Sequence, residues 1–427
     1  MTSDRQKSTE ALLGGYRVLD ITNERGLLCG KILGDLGADV IKIEPPGGDQ
    51  ARNIAPFYKD IIHPEKSLYW FALNTSKRGI TLNIETSDGR EIFKRLVKTA
   101  DFLIESFEPG YMDGLGLGYS VLEKINPRII MTSITPFGST GPYARYKASD
   151  ITLGAMGGLT YLSGETDKAP CRISLPQSYL VGGLHGAMGS MIAHYYRESC
   201  GEGQHVDVSM QQAIIYFTMN ATEMWNLMKV NTQRSGLLSM VERPEPLGQL
   251  RTRWYWRCKD GYIMFFLAGG ASKGYVDSST ALVELMDDEG MAGELKDYDW
   301  TNFDTYQISQ EELDRKERII AEFFLTKTKQ QLYEAAIKKG ILIGPLSAVN
   351  DVVESPQLHA RKYFVNVEHP ELGDAITYPG APVKFSEAPW KISHRAPLIG
   401  EHNVEIYGKE LGLAREQLAI LKAAKVI

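Results

Sequence analysis

The chain has 427 residues, 43% apolar and 23% charged, enough to bury a sizeable core in two domains. Its 53 acidic residues outnumber its 47 basic ones, giving a net charge of -6. That argues against a general nucleic-acid binder, whose affinity rests on neutralising phosphates. Four scattered cysteines with no C-x-x-C pair argue against a zinc ribbon or a disulfide framework, and no H-E-x-x-H occurs, so no metal is expected. The polar start MTSDRQKSTE lacks the apolar region of a signal peptide, and the Gly-rich run over 180–193 is too short for a membrane span. A reduced, cytoplasmic protein without membrane contact is the expectation.

The segment 16–21 (YRVLDI) alternates and is rich in strand formers. After the polar turn TNERG, Leu28, Ile32, Leu33 and Leu36 recur at helical spacing, with Gly37 placed as a C-cap. Residues 38–43 (ADVIKI) read as a second strand, completing a β-α-β unit. Asp88 and Glu91 form a capping-box pattern before an apolar face of Ile92, Phe93, Leu96, Val97 and Ala100. Further strands are expected over 101–104, over 128–134, and over 205–208 after the GEGQ turn. This alternation predicts an α/β fold with a Rossmann-like, doubly wound large domain. Near Ala221 the character changes. Aromatic strands around Trp254 to Trp256 and Tyr262 to Phe266 mix with acidic helical stretches such as EELDRKERIIAEFF, which predicts a smaller α+β domain over 222–335. The remaining loop-rich segment is expected to return to the first domain. The large domain is then discontinuous, 1–221 plus 336–427.

Neither G-x-G-x-x-G after the first strand nor a P-loop is present, so a dinucleotide or nucleotide fingerprint is missing. Polar groups do gather where the C-terminal edge of the sheet is expected, the edge at which open α/β sheets bind ligands. They are Asn23, Glu24 and Arg25, then residues 44–52, 105–109 and 135–147. Singly each is a solvated loop; together they outline a pocket. Lys77, Arg78 and Lys147 are either phosphate-neutralising groups or surface. Asp150 is either a general acid/base or, by preference, an N-cap.

The stretches LGADVIKIEPPGGDQAR, NTSKRGITLNI, ADFLIESFEPG, INPRIIMTSITPFGSTGPY, GEGQHVDVSMQQA and APLIGEHN, in this order, resemble the class III CoA-transferases. That family includes formyl-CoA, carnitine and benzylsuccinate CoA-transferases and the related α-methylacyl-CoA racemases. The resemblance implies two chains interlocked as a dimer, with coenzyme A or acyl-CoA as substrate. It also implies covalent catalysis: an aspartate attacks the thioester, giving an acyl-aspartyl anhydride and then an aspartyl-CoA thioester. Matching Gln177 and Gly183-Leu184-His185 to the family pattern puts Tyr179 at the place of that aspartate, so no catalytic residue is assigned to this chain. The racemases' His-Asp pair is Ser149-Asp150 here. By resemblance Leu82, Ser106, Phe107, Leu115 and Lys147 match positions that touch CoA. The family's frequent Arg before Leu115 is Gly114, and its Ala-Gly-Pro after the first strand is Arg25-Gly26-Leu27.

The resemblance therefore implies a nucleophile-lacking subunit whose partner is a paralogue bearing the aspartate. Within the family, the benzylsuccinate enzyme of anaerobic toluene degradation has two different subunits, with succinyl-CoA and (R)-2-benzylsuccinate as its substrate pair. The alternatives are a self-sufficient homodimer, transferase or racemase, that uses Asp150 or Glu165, or a non-catalytic CoA-binding scaffold. Before the aromatic strand lies RPEPLGQLRTR, in which Arg243, Arg251 or Arg253 is either a solvated loop residue or a reader of a substrate carboxylate.

Overall fold

The structure is a computed structural model and describes residues 11–244 and 246–427. Six strands form its main sheet: β1 Arg17–Asp20, β2 Asp39–Glu44, β3 Lys77–Thr81, β4 Phe102–Glu105, β5 Ile130–Thr135 and β6 His205–Ser209. Their order is β3-β2-β1-β4-β5-β6, and every pair is parallel. This is the doubly wound order that reverses beside β1. Successive strand residues serve opposite faces. Leu19, Ile41, Leu103 and Met131 pack with Ile92, Phe93, Leu96 and Val97 of the helix Ser87–Val97. Val18, Val40, Phe102 and Ile130 pack on the other side with Leu33 and with Ala187 and Ala193. Both faces are thus covered, and each large aliphatic side chain so buried contributes about 1.5–3 kcal/mol.

The long helix Gln177–Cys200 holds the Gly-rich run, and close packing explains its composition. A Cβ on Gly183 would stand 2.9 Å from Leu28 Cβ and 3.2 Å from the Cys29 nitrogen. One on Gly186 would stand 2.6 Å from Ile134. Glycine lets this helix lie directly on the helix Leu27–Asp35 and on β5. The strand β3 was not foreseen, because KRGIT begins with two cations. The capping residue also differs from the expected Asp88: the Thr86 hydroxyl accepts from the Gly89 N–H at 3.0 Å, and Asp88 sits in the first turn.

Packing divides the chain into two units. One runs to Thr160, resumes over Arg172–Val230, and resumes again over Pro356–Ile427; the other takes Tyr161–Cys171 and Asn231–Ser355. The chain leaves the first unit after Val230, where 221 was expected, because the helix Met219–Met228 continues the first unit. It returns at Pro356, where 336 was expected, because β11 Ile343–Pro345 pairs with β10 Gly261–Phe265, which pairs in turn with β9 Tyr255–Cys258. The excursion Tyr161–Cys171 belongs to the second unit, where Arg234 donates to the carbonyls of Glu165 and Lys168. The second unit also contains the hairpin β7 Leu238–Glu242 and β8 Gln249–Arg253. Trp256, Phe265, Phe323 and Phe324 fill its core. In the first unit the hairpin β12 Phe364–His369 and β13 Asp374–Pro379 covers Trp70 and Phe71.

Candidate functional site

The loops after β1, β2, β3 and β4 wall a cavity of about 660 Å³ at the C-terminal edge of the sheet. Asn23 and Glu24 come from the first loop, Pro45 and Pro46 from the second, Leu82 to Glu85 from the third, and Phe107 and Tyr111 from the fourth. The loop after β1 is held at both ends by buried cations. Lys42 Nζ donates to the Thr22 carbonyl, and Lys77 Nζ donates to the Leu27 carbonyl at 2.8 Å. Lys77 pairs with Asp20 at 2.8 Å, and Lys42 stands between Asp20 at 3.8 Å and Asp49 at 3.5 Å. Burial works against charge on Asp20, but Lys77 and Lys42 outweigh it and hold its carboxyl below the usual range. Ser106 latches the same loop from β4: its hydroxyl accepts from the Asn23 N–H and donates to Asn23 Oδ1, both at 2.9 Å.

The expected CoA-contacting residues divide by place. Leu82 and Phe107 line the cavity, and Ser106 is fully buried behind its wall. Leu115 packs on the flank of the core, and Lys147 is exposed and does not line the cavity. The other expected phosphate partners are committed elsewhere. Lys77 is fully buried, and Arg78 pairs with Asp39, Glu405 and Glu410. Within 44–52, Glu44 and Arg52 form a bidentate pair at 2.6 and 2.7 Å, and Arg52 stacks 3.9 Å over the Trp70 ring. Sequence reasoning missed Asn83, Tyr111 and Lys425. The last reaches the rim because the Asn83 N–H donates to the Val426 carbonyl at 2.7 Å, a contact across 343 residues that no local pattern announces.

Glu105, at the end of β4, is nearly fully buried. Burial pushes its carboxyl up to about 7 although Ser133 and the Phe107 N–H bond to it. Tyr179 lies in the first turn of the helix Gln177–Cys200, half-buried, beside Arg25. Burial raises its phenol above the ordinary value, and the Arg25 guanidinium only partly offsets this. At neutral pH Tyr179 is therefore an uncharged phenol. Among the described residues the buried Arg25 Nε has no hydrogen-bond partner.

Asp150 is a cap, but not of its own helix. Its Oδ1 accepts from the Ser178 N–H at 2.9 Å, capping the helix whose first flank is Pro176, and Arg172 approaches its Oδ2 at 3.5 Å. Glu165 lies in the second unit. Of the three arginines around β8, Arg251 and Arg253 line one cleft of the second unit, whereas Arg243 closes a turn by donating to the Ile308 and Leu247 carbonyls, both at 2.8 Å. Among the described residues no group of His, Cys, Asp and Glu is placed to hold a metal, and no helix is long and apolar enough to cross a membrane.

The sequence profile of CoA-transferase family III matches residues 13–403. The chain belongs to that family. Like its relatives, this family III member uses CoA thioesters as substrates. It is 35% identical to the succinyl-CoA:(R)-benzylsuccinate CoA-transferase subunit BbsE of Thauera aromatica, over 92% of each chain. It is 28% identical to the succinyl-CoA–L-malate CoA-transferase beta subunit of Chloroflexus aurantiacus, over 98% of this chain and 99% of that one. A solved CaiB/BaiF family protein from Brucella suis has a TM-score of 0.78 at 28% identity, covering 94% of this chain and 99% of that one.

Proposed function

We propose that this CoA-transferase chain is the nucleophile-lacking subunit of a heteromer. Its partner is a paralogue that carries the aspartate, and the substrate pair is succinyl-CoA and (R)-2-benzylsuccinate. The observation that carries this reading is Tyr179. A neutral phenol beside Arg25 cannot form the acid anhydride on which the family's exchange depends. The nearby alternative, Asp150, is already occupied as a helix cap. The substrate pair is carried over from the relative in Thauera aromatica, which is itself named as a subunit.

An obligate, interlocked partner is supported by apolar surface that this chain leaves open. Along the helix Gln177–Cys200, Leu184, Met188, Ile192 and Tyr195 recur at spacings of four and three and are 48–82% exposed. Leu227 on the helix Met219–Met228 is 79% exposed, and none of that helix's residues is buried. The proposed CoA site is the sheet-edge cavity, with Leu82 and Phe107 in its wall. The small-unit residues Arg251 and Arg253 remain candidates for reading a substrate carboxylate.

Expression alone and with the aspartate-bearing paralogue tests the reading. The single chain should turn over at less than about a thousandth of the rate of the co-expressed pair. Robust turnover by the single chain, with a trapped acyl group on Asp150 or Glu165, would overturn it in favour of a homodimer.

A further inference from the structure

A cleft of about 360 Å³ lies within the second unit, between β8 and one face of the helix Gln310–Leu325. Arg251 and Arg253 are two residues apart on the strand and so project to the same side. Gln310, Asp314, Glu317 and Arg318 lie along the facing stripe of the helix. The strand's outer edge is bound by side chains of that helix. Gln310 accepts from the Arg251 N–H at 2.9 Å and donates to the Arg251 carbonyl at 3.0 Å, and Glu317 accepts from the Arg253 N–H at 2.8 Å. These bonds fix where both arginine stems begin.

The charges within the cleft are unequally matched. Glu317 is 3.9 Å from Arg253 Nε, and Asp314 accepts from Gln310 at 2.7 Å. Among the described residues the guanidinium groups of Arg251 and Arg318 make no hydrogen bond or ion pair. Neighbouring surface arginines do pair: Arg315, on the same helix, meets Glu294 at 2.6 Å. Two forked donors left open on one cleft, of a volume that suits a small molecule, match a doubly charged oxyanion.

We propose that this cleft is an oxyanion-binding site for a small organic dianion, engaged by Arg251 and Arg318, which deepens the substrate-carboxylate role proposed above for Arg251. Carboxylate and phosphate groups share the chemistry it recognises, so the source is left to the experiment. The whole protein, with any co-purifying partner, is titrated calorimetrically at low salt with succinate, inorganic phosphate and adenosine 3′,5′-bisphosphate. The same titrations follow for Arg251→Gln/Arg318→Gln and for Arg315→Gln as control. At least one anion should bind, the double variant should weaken it about tenfold or more, and the control should stay within about twofold. Tighter binding of succinate assigns a carboxylate ligand; tighter binding of either phosphate compound assigns a phosphoryl ligand. No anion binding below about 10 mM, or binding that the double variant leaves unchanged, overturns the site.

Discussion

Lys42, Lys77 and Arg52 stand in the first unit, fully buried, each against a carboxylate. Arg251 and Arg318 are exposed residues of the second unit, with no such partner among the described residues. In the sequence these five cations look alike, and the lysine of NTSKRGITLNI invites a ligand-binding role. Burial separates them. A cation taken out of water must be paired, and once paired it organises neighbouring backbone and is closed to ligands. An open cation retains its donors for something that arrives. The two buried lysines shape the loop of the candidate site, whereas a ligand contact is more readily made by a group with no partner.

The largest effect is expected for Lys77→Met. It leaves Asp20 buried with only Lys42 nearby and frees the Leu27 and Asn74 acceptors. Denaturant unfolding should show a loss of about 3–5 kcal/mol. A loss below about 1 kcal/mol would mean that the lysine is not holding the loop.

Among the carboxylates Glu105 is the counterpart of these cations, buried with no cation paired to it among the described residues. Burial raises its folded carboxyl to about 7, above the unfolded value near 4.5. The folded state therefore binds more protons between those values. The group's contribution is fully present below about pH 4.5 and is lost as pH rises through about 7. Relative to Glu105→Gln, the native chain should lose about 3 kcal/mol of stability across that window. Parallel stability–pH curves for the two proteins would reject the shift.

The smallest effect is expected at the open arginines. The double change Arg251→Gln/Arg318→Gln removes no pair and should alter stability by less than about 0.5 kcal/mol. A larger loss would show these groups to be structural after all.

Much of the sheet was legible in the sequence. Five of its six strands fall close to where alternation and turn residues place them, because a strand buried on both faces must be locally apolar. β3 escaped because Lys77 and Arg78 open it, and their charges are matched only by Asp20, Asp39, Glu405 and Glu410 from elsewhere in the chain. The ordered motifs also placed the chain in its family and located Leu82 and Phe107, which the structure brings to one cavity. They could not give Lys425, nor the cap that Asp150 provides to a helix starting 27 residues later.

The α/β alternation, the family and the tyrosine at position 179 are legible along the chain. These follow from local periodicity and from the order of short motifs. Which charged side chains are struts and which are open emerges only in the folded chain. That depends on burial and on partners brought from distant segments: Lys77 with Asp20, Arg78 with Glu410, Gln310 with the Arg251 main chain. A charge's cost and its availability are set by the dielectric and the neighbours around it, and neither is written in the residues beside it along the chain.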